Sequence, residues 1–503
     1  MSDREQESDQ LDVPRGDVRS GTRWNSMGVG GAQGLRFLCN LGLVSLLDPA
    51  DFGLMAITLV VTGFLEIFTD FGAGQIVVQR RTISSRFLAS AFSLNMLLAS
   101  LVSLGVFLGA DLLGVILKTP DLPRVLRVVS CLFMLTGAGL VHRALLIRTL
   151  AFKRVAVVEL TIALTYGVVS LVLASRGWGV WSLVWGTLSS SALGTLMLWT
   201  VSPWRIRLAW DRSHLREILA FCSGLLGSSL SSYFLQNTDR VIIARFLGAD
   251  ALGLYEIALR LVMFPVRLIT RVLISVLTPV FARLQDDPGA FREKFLRAAA
   301  GIALLTFPMM VGLASVAEPF VATLWTEEWA PVAGLIVLLA PVGIVRSLAS
   351  ATGPIYVAMG KTGAMFIWGL AFNLATVAAF FLGVPFGVEG VAAAYAIVSV
   401  VLFYPYFAVP FRFIRLPVVQ LCSALLPIGA VSLLMALAVW GLGQALGTRV
   451  SPPVDLGASI VAGSLVYGIG IWLVRPPALD DLLSIAGSFR GDPGTAETRK
   501  DGS

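Results

Sequence analysis

Four charged residues recur along one face of one apolar segment: Glu256, Arg260, Arg267 and Arg271, at successive spacings of 4, 7 and 4. At 100° per residue they fall within about 60° of arc and form one stripe. A charge at the centre of a bilayer costs roughly 2.5–3.5 kcal/mol on insertion scales, so a lipid-facing stripe would cost on the order of 10 kcal/mol, as much as a typical domain's whole stability. The stripe is therefore expected to line water. Asn25, Gln33, Arg36 and Asn40 fall within about 80° of one another on the first apolar segment. Glu66 and Asp70 lie one turn apart on the second, and Glu159, Gln236, Asn237, Asp239, Arg240 and Arg346 complete the set.

These residue types point to two kinds of chemistry. The surplus of guanidinium suits an anionic cargo, with phosphate or pyrophosphate favoured because Arg forks match its oxygens. Arg36, Arg260, Arg267, Arg271 and Arg346, with Asn40 and Gln33, are the candidate cationic lining. Glu66, Asp70, Glu159, Glu256 and Asp239 are carboxylates that could titrate and couple transport to protons or sodium. Two plainer readings stand beside this: Arg240, Arg245 and Arg271 can snorkel to an interface, and Glu256 with Arg260 can be interhelical glue.

Motifs for other chemistry fail. GKT at 360–362 would need glycine at 355 to make a phosphate loop, and that residue is Ile355. Gly30 and Gly34 form a GxxxG that reads as close helix packing. His142 and His214 sit near segment ends and read as interfacial, while Cys39, Cys131, Cys222 and Cys422 lie singly in apolar runs and read as free thiols. With no nucleophile–base arrangement and no metal spacing, the chain reads as a non-enzyme without cofactors, and nothing in it invites nucleic acid.

The elements that must position these residues are membrane helices. Of 503 residues, 56% are hydrophobic and 14% charged, against roughly a quarter charged in soluble domains. Spans of about 20 apolar residues fit at 24–47, 51–76, 88–110, 125–146, 157–175, 178–201, 217–238, 251–279, 296–316, 331–352, 362–383, 388–410, 418–442 and 455–474. Lys and Arg gather after every second span, at Arg80, Arg81 and Arg86, at Arg143, Arg148, Lys153 and Arg154, at Arg205, Arg207, Arg212 and Arg216, and at Arg283, Arg292, Lys294 and Arg297. Lys361, Arg412 and Arg415 continue the series, which places both termini in the cytoplasm. Residues 1–23 are polar and acidic without an apolar core, so the first span is expected to act as the insertion signal. The polar tail from Pro476 is expected to be mostly disordered, with a short amphipathic helix at 478–489.

The chain repeats itself. LDPADFGLMAITL (47–59) matches LGADALGLYEIAL (247–259), with Gly53 over Gly253 and Leu54 over Leu254. RGWGVWSLVWG (176–186) resembles FGVEGVAAAYA (386–396), with Gly179 read over Gly390 by a one-residue shift between the two segments. Two matches about 200 residues apart describe a six-helix unit occurring twice in the same orientation, a parallel repeat of the kind transporters use.

The segments LLDPADFGLMAITLVVTGFLEIFTDFGAGQIVVQRR (46–81) and QNTDRVIIARFLGADALGLYEIALRLVMFPVRLITRVLISVLTPVFARLQDD (236–287) resemble the starts of the two halves of Wzx-like polysaccharide repeat-unit flippases, in the multidrug/oligosaccharidyl-lipid/polysaccharide superfamily. The likeness runs over roughly residues 20–420 and fades over the last two spans. It implies an all-α integral membrane fold of about 14 transmembrane helices: two six-helix bundles in parallel pseudo-repeat arranged as a V, plus two C-terminal helices, working by alternating access. On that plan 1–23 is a cytoplasmic tail, 24–210 and 211–416 are the two bundles, 417–475 holds the additional helices and 476–503 is a second cytoplasmic tail. The implied cargo is an undecaprenyl-diphosphate-linked oligosaccharide crossing the bacterial inner membrane. Implied partners are that lipid-linked oligosaccharide, membrane lipids, and a polysaccharide polymerase and glycosyltransferases. The resemblance carries no residue roles. Alternatives are a drug or metabolite antiporter of the same superfamily, a glycolipid polymerase or ligase, which would need a large external loop, and a scaffold for biosynthetic proteins.

Overall fold

The computed structural model describes residues 18–70, 72–80, 82–285, 287–446 and 450–480; most of the N-terminal tail and of the expected helix at 478–489 lies outside them. The chain forms two compact units, Met1–Glu256 and Ile257–Ser503. The first contains α1 (Val18–Val44), α2 (Pro49–Asp70), α3 (Ala73–Gln79), α4 (Ser85–Leu117), α5 (Leu122–Val129), α6 (Cys131–Arg148), α7 (Phe152–Ala174), α8 (Val180–Val201) and the first part of α9 (Arg212–Arg283). The second contains the rest of α9 and then α10 (Pro288–Ser315), α11 (Ala317–Leu324), α12 (Pro331–Ala349), α13 (Gly353–Ala358), α14 (Thr362–Gly383), α15 (Gly387–Val401), α16 (Phe403–Ile414), α17 (Val418–Leu446) and α18 (Pro452–Val474). Among the described residues, nine helical stretches are long and apolar enough to cross a membrane.

Helix ends follow local chemistry. Ser84 is extended and its hydroxyl accepts from the Phe87 N–H at 3.1 Å, starting α4. Asp287 accepts from the Gly289 and Ala290 N–H groups at 3.0 Å, with Pro288 at the first helical position, starting α10. The expected spans 217–238 and 251–279 are joined in α9, whose one break is Gly248 at φ 92°, ψ −179°, a conformation open only to glycine. Ala249, Asp250 and Ala251 then resume the helix at once.

The repeat is visible as packing. In the first unit α4 packs on α6, α6 on α8, and α7 on α8; in the second, α10 packs on α12, α12 on α15, and α14 on α15, the same three pairings one repeat later. The matched LDPADFG and LGADALG motifs meet each other. A Cβ placed on Gly53 would lie 1.8 Å from the Ala249 carbonyl oxygen, and one on Gly253 would lie 1.9 Å from the Pro49 carbonyl oxygen. Pro49 and Ala249 are themselves equivalent in the sequence repeat, so the contact is reciprocal. Backbones can approach this closely only where both residues lack a side chain. At the second match the register differs from expectation. Gly179 (φ 53°, ψ −137°) and Gly387 (φ 75°, ψ −164°) share a backbone conformation at the start of α8 and α15. Gly179 therefore corresponds to Gly387, while Gly390 lies inside α15 packed on Gly383.

Each unit has its own apolar core. Phe281, Phe291, Phe295, Phe407 and Phe411 anchor the second, with Phe281 stacked on Phe291 at 4.7 Å. Phe87, Phe92, Val141 and Trp204 anchor the first. His142 packs there as well: it is 1% exposed, with its ring centre 5.1 Å from that of Trp204. Cys39, Cys131 and Cys422 are free thiols.

Candidate functional site

In the first unit the predicted polar residues converge on Glu159. Its carboxylate takes the Arg143 guanidinium at 3.1 Å and the Arg36 guanidinium at 3.8 Å, from α6 and α1 respectively. Asn40, one turn beyond Arg36, donates its amide to the Arg36 carbonyl at 2.6 Å, and Gln33 is half-buried one turn before it. Glu159 is thus a bridge between two cations. Arg143, which the sequence groups with the cytoplasmic positive cluster, lies on the last turns of α6, where it is exposed and pairs with Glu159.

Arg143 also connects this triad to α2. It lines a cavity of about 290 Å³ with Asp70, Gln75 and Gln79, and Asp70 in turn lines a second, polar cavity of about 370 Å³ with Glu66, Thr69, Asn95 and Thr136. Within the first unit, the structure brings Glu66, Asp70, Glu159 and Arg36 into one network through Arg143. The opposite face of α2 borders a different space, about 550 Å³ and almost wholly apolar, lined by Phe64, Leu65, Val106, Ile116, Tyr233 and Phe234. Tyr233 donates to the Val60 carbonyl at 2.7 Å, pinning α9 to α2 beside Gly63, which leaves room for the ring.

Asp239, Arg240 and Glu256 form a separate buried cluster that spans the Gly248 break. The Arg240 Nε lies 2.7 Å from a Glu256 carboxylate oxygen, its Nη1 donates to Asn237 Oδ1 at 2.9 Å, and the Tyr255 hydroxyl donates to Asp239 at 3.2 Å. The bond joins α9 residues on either side of the glycine, so it holds the bend. Arg240, for which the sequence leaves both a place in the polar set and an interfacial one open, is the partner of a buried acid.

In the second unit Arg260 is half-buried and Arg267 exposed, while the side chain of Arg271 lies outside the described residues. Arg346 is exposed, with its guanidinium carbon 5.7 Å from the centre of the Tyr395 ring, an α12–α15 cation–π contact. Asn95 and Thr136 were missed from the sequence, since single Asn and Thr residues in apolar helices carry no periodic signal.

Duplicated apolar bundles, a shared glycine contact and ionisable groups networked between helices define a multi-pass, all-α membrane protein of the transporter type. A solved structure titled as the lipid II flippase MurJ, inward closed, is similar in fold: the TM-score is 0.74 over 91% of this chain and 99% of that one, at 16% identity. An inward-facing multidrug resistance transporter of the MATE family, of the MOP superfamily, gives a TM-score of 0.60 over 76% of this chain and 94% of that one, at 15% identity. Residues 43–334 match the family described as polysaccharide biosynthesis protein, and the chain belongs to that family. It is 29% identical over 92% of its length to the succinoglycan biosynthesis transport protein ExoT of Rhizobium meliloti, covering 94% of that protein. It is 27% identical over 76% of its length to the lipopolysaccharide biosynthesis protein WzxC of Escherichia coli, covering 78% of it. The teichuronic acid biosynthesis protein TuaB of Bacillus subtilis is 27% identical over 68% of this chain and 71% of its own length.

Proposed function

We infer that this protein is a flippase that moves an undecaprenyl-diphosphate-linked oligosaccharide repeat unit across the bacterial inner membrane by alternating access, for surface polysaccharide biosynthesis. The observation that carries the reading is the near end-to-end match, over 92% of the chain, to a polysaccharide transport protein. The duplicated helical architecture supports it, because such repeats are the usual frame for alternating access. Arg36 in the first unit, and Arg260, Arg267, Arg271 and Arg346 in the second, are the proposed diphosphate-binding cations, with Gln33 and Asn40 assisting. Glu66, Asp70, Glu159, Glu256 and Asp239 are the proposed coupling carboxylates. On this reading the protein is a transporter and not an enzyme, both termini are cytoplasmic, and a polymerase and glycosyltransferases act before or after it on the same lipid.

The test is substitution with a transport readout. Arg260→Ala and Arg267→Ala are expected to abolish polymer export at unchanged membrane abundance. Full export by both variants would remove these residues from the binding machinery.

A further inference from the structure

The polar cavity between α2, α4 and α6 has an unusual inventory of hydrogen-bonding groups. Asn95 is 1% exposed, and its amide nitrogen is spent on the Gly137 carbonyl at 2.7 Å. Its Oδ1 is buried without a hydrogen-bond partner. The Thr69 hydroxyl proton goes to the Glu66 carbonyl at 3.0 Å and the Thr136 proton to the Leu132 carbonyl at 3.0 Å, which leaves both oxygens with lone pairs to offer. Glu66 and Asp70 add carboxylates that accept only, one of them taking the Gly74 N–H at 3.4 Å. The deep end of the cavity therefore offers acceptors and asks for positive charge.

The charge count says how much. The connected network holds three carboxylates, Glu66, Asp70 and Glu159, and two guanidiniums, Arg36 and Arg143. Carboxylates outnumber guanidiniums by one, and the two guanidiniums are the exposed members, at 43% for Arg36 and 52% for Arg143, so the surplus of negative charge lies on the cavity side of the network. Exposed Gln75 and Ser229 line the cavity's outer end, and Tyr233 gives its proton to Val60 on α2, so none of these brings charge. The ligand atoms on offer are all oxygen, and among the described lining residues there is no thiol or imidazole, a set that suits a hard cation.

We propose that Glu66, Asp70 and the unpartnered Oδ1 of Asn95, with the hydroxyls of Thr69 and Thr136, form a binding site for one monovalent cation, sodium or a proton, inside the first helical unit. A divalent ion would overshoot the single charge to be neutralised. As a proton site, the carboxyl of Glu66 or Asp70 gains an O–H that Asn95 Oδ1 can accept; as a sodium site, the same oxygens coordinate directly. Only the coupling role of the ion rests on the flippase reading, since binding to the resting protein requires no cargo.

The experiment uses the purified full-length chain in lipid nanodiscs without oligosaccharide. Radioactive sodium binding at fixed pH and proton uptake after a downward pH step are measured on the parent, on Glu66→Gln and Asp70→Asn, on the isosteric Thr136→Val, and on Asp111→Asn as a control remote from the cavity. The expected result is about one cation equivalent per chain, as sodium or as proton. Affinity should fall about tenfold to a hundredfold in the two carboxylate variants, the scale of losing a hydrogen bond to a charged group. Thr136→Val should lose a few-fold and Asp111→Asn nothing. Sodium uptake identifies one source and sodium-independent proton uptake the other. Absence of both, or equal binding by the parent, Thr136→Val and whichever carboxylate variant remains monodisperse, overturns the site. Loss of polymer export with cation binding intact would instead count against the cargo reading alone.

Discussion

The contact between Gly53 and Gly253 allows a sharp test of the repeat architecture. Adding one methyl group at Gly53 places a carbon 1.8 Å from the Ala249 carbonyl oxygen, and adding one at Gly253 places it 1.9 Å from the Pro49 carbonyl oxygen. Carbon and oxygen need more than 3 Å, so each substitution must push α2 and the second segment of α9 apart by roughly 1 Å or more, and both obstacles are backbone that cannot rotate away. Overpacking of this kind costs about 1–3 kcal/mol. Because Gly53→Ala and Gly253→Ala open the same seam, the double variant should cost clearly less than the sum of the singles. The assay is thermal unfolding of the purified protein in detergent, followed by tryptophan fluorescence. Each single variant should lower the midpoint by several degrees, at about 2–4 °C per kcal/mol for a unit of this size. Parent-like midpoints for both variants, or strictly additive losses, would refute the reciprocal contact.

Other expectations follow from single interactions. Glu256→Ala removes the 2.7 Å partner of Arg240 and leaves it Asn237 and Asp239, and should cost about 1.5–3 kcal/mol in the same unfolding assay; a midpoint within a degree of the parent would show the pair is not holding the bend. Asp51 accepts from the Val180 N–H at 2.8 Å at the start of α8, so Asp51→Ala should cost about 1 kcal/mol, checked by denaturant titration. Tyr467 donates to the Leu304 carbonyl at 2.7 Å, and Tyr467→Phe should cost about 1 kcal/mol. Asp211, in the segment before α9, has its carboxyl held below the usual range by the Ser213 hydroxyl and N–H. Its folded pKa is depressed, so its contribution is complete above the ordinary carboxylate pKa and is lost as pH falls through the lowered value. Ser213→Ala should move the carboxyl resonance's titration midpoint upward.

What was legible in the sequence was whatever depends on hydropathy and repetition. Spans such as 178–201 and 362–383 correspond to α8 (Val180–Val201) and α14 (Thr362–Gly383) almost residue for residue, because the runs start after Gly179 and Lys361 and stop at Ser202–Pro203 and Gly383. The LDPADFG repeat is readable, yet its meaning, two glycine backbones pressed together, belongs to the folded chain alone. Partnerships between side chains were not readable. Glu256 was grouped with Arg260 on helical spacing, but the break at Gly248 brings Arg240 to it. Arg143 reads as a loop charge, yet it pairs with Glu159 and lines a cavity with Asp70. Asn95 became conspicuous only because its neighbours leave one oxygen unmet, a property of three helices together and of no stretch of sequence.

The most direct test of the flippase account is the leaflet distribution of undecaprenyl-diphosphate-linked repeat units in cells lacking this protein, read by their accessibility to an added membrane-impermeant sugar-modifying reagent. The account predicts accumulation on the cytoplasmic leaflet, protected from the reagent until the membrane is opened. Repeat units fully accessible on the periplasmic leaflet, with polymer still missing, would contradict it.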